Sequence, residues 1–173
     1  MNCKTTIATY AAEVIEQWTK LKKRPELLSI PPEMQIKAAC FVSVHTIDGN
    51  LRGCIGTLEP SRNNLALEIT ENAIAASERD PRFDPIEAKE LQNLTVSVDV
   101  LSEPEPTTIA ELDPKTYGLI ISDGCCRRGV LLPNLEGIKS IEDQIRIVKR
   151  KAGLELIENN KLQFFRFTAT RYE

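Results

Sequence analysis

An arginine and a cysteine stand two positions apart in the segment LRGCIG, residues 51–56. Side chains two positions apart on an extended strand point to the same face, so Arg52 and Cys54 are predicted to project together. A guanidinium beside a thiol favours the thiolate, which is the nucleophilic form of cysteine. This spacing makes Cys54 a candidate nucleophile and Arg52 a candidate contact for an anionic ligand.

Two glycines flank this cysteine, and glycine weakens the interior of a strand. Because Gly53 and Gly56 lack side-chain bulk, they predict the close approach of a ligand or of another backbone segment. In the alternative, purely structural interpretation, Cys54 is a small buried residue, Arg52 pairs with a carboxylate and the glycines permit a bulge. The only histidine of the chain, His45, is expected on the partner strand of the same hairpin.

Two further segments present arginines on short, constrained stretches. In DPRFDP, residues 80–85, two prolines stiffen the loop that carries Arg82 and Phe83. Arg82 either contacts an anion or is solvated, and Phe83 is expected to fill the core below a helix end. In DGCCRRG, residues 123–129, Arg128 and its arginine neighbour are candidates for a second anion-binding wall, and the adjacent cysteines are interpreted as turn residues.

Hydrophobic periodicity predicts the elements that carry these residues in the first half of the chain. Residues 5–22 form an amphipathic helix docked on the core, residues 38–60 a hairpin around an Asp-Gly turn, and residues 63–79 a second helix. The strand LTVSVDVLS follows, and its alternation places Ser97 and Asp99 on the polar side. These two side chains either line a cleft or face water.

The second half repeats this order, with two strands around an Asp-Gly turn, a helix that begins at Ser140 and a closing strand. The approximate halves are residues 38–101 and 117–171, joined by an exposed connection rich in proline and glutamate. An internal duplication and a chance likeness between two hairpins both account for this pattern. In either case the predicted fold class is α+β, with helices packed on the outside of the sheets.

The composition narrows the classes of function. The 173 residues are 42% hydrophobic and carry a formal net charge of −3, so a sizeable core is expected and a nucleic-acid binder is disfavoured. No apolar run is long enough to span a bilayer, and the first residues lack the apolar region of a secretory signal. Five irregularly spaced cysteines are typical of reduced thiols, which predicts a cytoplasmic protein. A single histidine and the lack of a CxxC spacing predict no metal site, and no cofactor is expected.

Three motifs together resemble those of the AMMECR-type domain family: LRGCIG, DPRF at Asp80 to Phe83, and GVLLP at Gly129 to Pro133. The likeness covers nearly the whole chain and implies one domain over residues 1–173. It further implies two unequal subdomains, a mixed or antiparallel barrel-like sheet, an internal strand-strand-helix-strand duplication and a cleft lined by the hexapeptide. After LLP this chain has NLEG, where many relatives have Gln and Val.

The resemblance also implies partners, because prokaryotic relatives are typically encoded beside a Memo-type protein and a radical S-adenosylmethionine (SAM) enzyme. On this basis the chain is expected to be an accessory protein that binds a small anionic ligand or a partner segment in the cleft. The residues expected to contact that ligand are Arg52, Gly53, Gly56, Arg82 and Arg128.

The alternative is a cysteine-dependent enzyme with Cys54 as nucleophile, assisted by His45 or Asp99, in an RNA- or nucleotide-linked modification. The residues alone do not decide whether the chain is an enzyme.

Overall fold

The computed structural model describes residues 1, 3–26 and 29–173, and its class is α+β, as the sequence predicts. Within these residues three α-helices and eight strands follow one another in the order α1 (Thr6–Leu21), β1 (Cys40–Thr46), β2 (Leu51–Gly56), α2 (Leu65–Glu78), β3 (Leu94–Leu101), β4 (Glu105–Pro106), β5 (Gly118–Ser122), β6 (Arg128–Leu131), α3 (Ile141–Ala152), β7 (Gln163–Phe167) and β8 (Ala169–Tyr172). None of these helices has the length and apolar character needed to cross a membrane.

The strands form two four-stranded antiparallel sheets with the spatial orders β2-β1-β3-β8 and β4-β7-β5-β6. Each sheet has two ends within the described residues, so the expected barrel-like sheet is a pair of open sheets instead. The difference arises in the closing segment. The sequence predicts one strand there, whereas the structure has two, β7 and β8, which are divided at Thr168 and join different sheets.

The chain divides into two compact units, residues 1–101 with 170–173, and residues 102–169. Each unit contains the order strand, strand, helix, strand, which is β1-β2-α2-β3 in the first and β5-β6-α3-β7 in the second. In both sheets the first strand of this set lies between the other two. The fourth strand differs in origin, because β8 comes from the closing segment and β4 from the proline-rich connection, where no strand is predicted.

Local chemistry sets the boundaries of the helices and of the first hairpin. The side chains of Thr5, Asn64 and Ser140 each accept a hydrogen bond from a backbone N–H in the first turn of α1, α2 and α3. Gly153 adopts a left-handed conformation that ends α3. Gly49, with φ of 85°, supplies the positive φ of the turn between β1 and β2. The sequence predicts all three helices because these signals are local.

In the first unit, α1 and α2 share one hydrophobic core with the apolar side chains of the sheet. Val42 and Val44 of β1 are fully buried and lie opposite Val98 and Val96 of β3. Because side chains alternate along a strand, Ser43 points to the opposite face of the sheet. We call that opposite side, which carries residues 41, 43, 45, 54, 95, 97 and 99, the polar face.

Candidate functional site

The DPRF loop occupies the free edge of β2, which is an end strand of the first sheet. A carboxylate oxygen of Asp80 accepts the backbone N–H of Cys54 at 2.9 Å, and the Arg82 guanidinium donates to the Cys54 carbonyl at 3.2 Å. Two further hydrogen bonds, of 2.9 and 2.7 Å, join the same guanidinium to Asp80. The side chains of Asp80 and Arg82 therefore satisfy the backbone N–H and C=O of Cys54, which have no neighbouring strand on this side of the sheet.

Asp80 is only 4% exposed, and its carboxylate is the centre of this arrangement. Hydrogen bonds from the Arg82 guanidinium hold the pKa of Asp80 well below its usual range; burial opposes this effect, and backbone N–H donors add to it. Arg82 is thus bound to Asp80 by two hydrogen bonds while about half of its side chain, 54%, stays exposed to solvent. Phe83 is half-buried with the Arg82 guanidinium 5.4 Å from its ring centroid, and the buried core position of this loop belongs to Ile86.

Arg52 is bound to the loop that follows DPRF. Its Nε donates to Glu90 Oε2 at 2.7 Å, its Nη2 to Glu90 Oε1 at 3.0 Å, and its Nη1 to the carbonyl of Asp84 at 2.9 Å. The pairing of β1 with β2 also shifts by one residue between Val44 and His45, so the alternation that relates Cys54 to Arg52 is broken. Among the described residues no hydrogen bond or ion pair joins Arg52 to Cys54. Arg52 pairs with a carboxylate, as the structural interpretation expects, and its contact with a ligand stays a prediction.

The spaces beside Gly53 and Gly56 are filled by protein atoms. A Cβ at Gly53 would lie 2.2 Å from the carbonyl oxygen of Ala76 in α2, and a Cβ at Gly56 would lie 2.3 Å from the ring of Phe41. Gly53 therefore lets the helix backbone approach the strand, and Gly56 makes room for an aromatic ring. The assignment of both glycines as ligand-binding residues stays a prediction without the support of open side-chain space.

Arg128 begins β6 in the second unit, opposite Ser122 of β5, and is exposed. A Cβ at the next residue, Gly129, would lie 2.4 Å from the carbonyl oxygen of Val148 in α3. In each half the Arg-Gly pair thus lies on the second strand, where the glycine lets the backbone of the following helix approach. Arg128 belongs to the second compact unit, whereas the other predicted site residues belong to the first, and its contact with a ligand stays a prediction.

The Cys54 thiol is half-buried and faces Ser43, its direct neighbour on β1. The Ser43 hydroxyl donates to the sulfur at 3.2 Å, and Ser97 of β3 lies on the other side of Ser43. Both serines are buried, so a neutral polar row crosses three strands. Within the described part of the chain the sulfur has no hydrogen bond to a carboxylate or an imidazole.

An ion pair unforeseen from the sequence lies on the same face. Arg171 of β8 donates from Nε and Nη2 to the two oxygens of Asp99 at 2.9 and 2.8 Å, and Asp99 is 5% exposed. The hydrogen bonds that Arg171 donates to Asp99 raise the pKa of Arg171, and burial opposes this effect. Asp99 is therefore committed to an arginine. No local motif marks Arg171, because its partner is 72 positions away in sequence.

His45 lines a depression on the first unit together with Arg171, and among the described residues its ring forms no hydrogen bond with Cys54. Burial lowers the pKa of His45, and the charge of Arg171 acts in the same direction.

All five cysteines are free thiols, and Cys125 and Cys126 are exposed in the turn between β5 and β6. In the described ranges no three side chains of the metal-binding types are grouped to hold an ion.

Known proteins share this sequence and fold. A sequence model of the AMMECR1 family matches residues 8–172. The chain is 48% identical to a protein of Thermotoga maritima over 168 residues, which are 95% of each chain. It is 45% identical over 138 residues to Protein CA_C1420 of Clostridium acetobutylicum, a match that covers 80% of this chain and 29% of that protein. The crystal structure of the uncharacterized protein PH0010 from Pyrococcus horikoshii is similar with a TM-score of 0.86 and 29% identity, over 95% of this chain and 88% of that one.

Proposed function

The chain belongs to the AMMECR1 family, and on that premise we propose that it is an accessory binding protein. Its binding surface is the polar face of the first sheet around Cys54. The ligand is a small anion or a segment of a partner protein, and the partners are a Memo-type protein and a radical SAM enzyme. The chain itself supplies recognition, and the partner enzyme supplies the reaction.

One observation carries this proposal: the Cys54 thiol is paired with a hydroxyl, and the nearest acid on its face is already paired. Ser43 donates to the sulfur at 3.2 Å, and Asp99 is held by Arg171 through two hydrogen bonds. An adjacent base is one common means of activating a nucleophilic cysteine, and among the described residues none is hydrogen-bonded to the Cys54 sulfur. Fixed polar groups without such a base are what a binding surface requires.

The Clostridium relative supports an accessory role. Its match with this chain makes up 29% of its length, so in that protein the corresponding segment is joined to a larger amount of other chain. An accessory module binds a partner that is either part of the same polypeptide or a separate protein, so this role fits both the longer Clostridium protein and the present chain.

Isothermal titration calorimetry with the purified Memo-type protein and the purified radical SAM enzyme of the same organism tests the proposal. We expect the wild-type chain to bind at least one of them, and Cys54→Leu, which adds bulk to the half-buried site, to weaken binding about tenfold or more. Cys125→Leu, at an exposed turn of the second unit, is the matched control and should bind like wild type. Urea unfolding verifies that both variants fold.

Two results would contradict the proposal in different ways. If the wild-type chain binds neither protein, the named partners are wrong. If Cys54→Leu binds as tightly as Cys125→Leu, the surface around Cys54 is not the site.

A second candidate, a cysteine-dependent enzyme acting in an RNA- or nucleotide-linked modification, has one observation in its favour. Cys54 is half-buried, and the Arg82 guanidinium donates to its carbonyl at 3.2 Å, so a cation lies at this residue, as is common beside reactive cysteines. The rate of Cys54 alkylation by iodoacetamide, followed against pH by mass spectrometry of the Cys54 peptide, tests it. A midpoint below about 7 supports the enzyme, whereas one near the ordinary cysteine value of about 8.5 contradicts it.

A further inference from the structure

A depression of about 400 Å³ opens on the first unit, beside the row formed by Cys54, Ser43 and Ser97. Its polar lining consists of Lys4, His45, Thr95, Ser97, Arg171 and Glu173. Sites for small molecules have volumes of about 300 to 1,000 Å³, so the depression has room for a small ligand.

Three of the lining side chains offer hydrogen-bond donors that have no acceptor among the described residues. Arg171 uses Nε and Nη2 to bind Asp99, which leaves its Nη1 group without a partner. The ammonium group of Lys4 forms no ion pair within the described ranges, although its backbone N–H donates to the carbonyl of Glu173 at 2.7 Å. The imidazole of His45 is likewise without a hydrogen bond to any described side chain.

From this convergence we infer that the depression binds a small oxyanion, a carboxylate or a phosphate-type group, between Lys4, His45 and Arg171. The inference rests on the proposed function and narrows its ligand to one chemical class at one place. Two acidic groups also face this region. Asp99 is bound by Arg171 through two hydrogen bonds, and Glu173 lines the depression, where its side chain has no hydrogen bond or ion pair to another described residue.

Binding of the anion is coupled to a proton on His45. Burial and the Arg171 charge lower the pKa of His45, whereas Asp99 and Glu173 act in the opposite direction, so the empty site holds a neutral imidazole at pH 7. An anion beside the ring favours the charged imidazolium. The affinity for the anion therefore rises as the pH falls through the titration of His45, provided that the anion itself stays ionised.

Nuclear magnetic resonance of the intact chain tests this inference directly, because the chain has one histidine and its Hε1 signal is unambiguous. Sulfate stands for a phosphate-type group and acetate for a carboxylate, and both remain ionised between pH 7.5 and 6. We expect at least one of them to shift the His45 signal and the amide signals of Thr95 and Ser97 saturably. The affinity should rise about threefold from pH 7.5 to pH 6.

Three variants show whether the anion lies where the inference puts it. Lys4→Ala should weaken binding about fivefold, and His45→Gln, followed through the amide signals, should abolish the pH dependence. Lys161→Ala removes an exposed lysine of the second unit and should leave binding unchanged. The inference is overturned if no saturable shift occurs up to about 100 mM of either anion, which corresponds to a negligible binding free energy. It is also overturned if Lys4→Ala binds like Lys161→Ala.

These outcomes are separate from those of the proposed function. If the chain binds neither sulfate nor acetate but binds its partner through the surface around Cys54, only this inference is refuted. A chain that binds an anion at His45 but binds neither partner protein refutes the proposed partners alone.

Discussion

The carboxylate of Asp80 accepts the backbone N–H of Cys54 at 2.9 Å, and this contact joins the two sequence motifs into one structural unit. Asp80 reaches the strand edge because the loop from 80 to 85 begins directly beyond α2. Arg82 then fixes the carboxylate and contacts the next backbone group of the same strand residue. Part of the DPRF motif is therefore explained by the support that it gives to β2.

Replacing Asp80 by alanine should destabilise the protein by about 1 to 3 kcal/mol. The change removes buried hydrogen bonds and leaves the backbone N–H of Cys54 without its acceptor. Glu87→Ala, which removes an exposed carboxylate paired with Lys89, is the control and should leave the free energy of unfolding essentially unchanged. Urea unfolding measures both, and equal effects of the two substitutions would contradict the role assigned to Asp80.

The stability of the wild-type protein should fall more steeply in acid than that of Asp80→Asn. The pKa of Asp80 is lowered in the folded state, so below the unfolded-state value of about 3.9 the unfolded chain takes up a proton that the folded chain resists. The contribution of this carboxylate is thus present at neutral pH and is lost as the pH falls below about 4. Urea unfolding of both proteins between pH 6 and 3 tests the sign. A stability difference that stays constant over this range would contradict it.

Alanine at Gly53 or at Gly129 should destabilise the protein by about 1 to 3 kcal/mol or more, because the added methyl group meets a helix carbonyl at 2.2 or 2.4 Å. Gly137→Ala separates this clash from backbone strain. Gly137 has a positive φ of 84° but nothing within 4 Å of the added carbon, so its cost should be only about 1 kcal/mol. The close approach of strand and helix is refuted if Gly53→Ala unfolds at the same urea concentration as Gly137→Ala.

Arg52→Gln should leave the rate of Cys54 alkylation at pH 7 within about twofold of the wild-type rate, because the guanidinium is bound to Glu90 and not to the thiol. Arg82→Gln removes a guanidinium that does contact Cys54, at its carbonyl oxygen 3.2 Å away, and should change the alkylation rate by a larger factor. Mass spectrometry of the Cys54 peptide gives both rates. A strong slowing by Arg52→Gln would restore the original hypothesis that Arg52 activates the cysteine.

The sequence predicts those parts of the fold that depend on neighbouring residues. Asn64 and Ser140 begin their helices through their own side chains, and Gly49 makes its turn through its own backbone. Contacts between distant segments have no such local signal. The register shift opposite Arg52 depends on how two strands pair, and the Arg171–Asp99 pair depends on β8 joining the first sheet.

The candidate site was predictable only in part for the same reason. The segment LRGCIG points to Cys54, but two opposite interpretations of its glycines fit the sequence equally well. The need for glycine at position 53 comes from a carbonyl of α2, and no pattern in the hexapeptide shows that this carbonyl lies there. The lining of the depression around His45 comes from four separate stretches of chain, so their proximity follows only from the sheet order.

The hydrogen bonds of Asp80 and Arg82 to the backbone of Cys54 affect how another chain can pair with the edge of β2. A second polypeptide that tried to extend the sheet at this end would have to displace a charge-assisted pair before gaining any main-chain hydrogen bonds. Growth of the sheet into intermolecular fibrils is therefore blocked at this border without a proline or a lysine inside the strand.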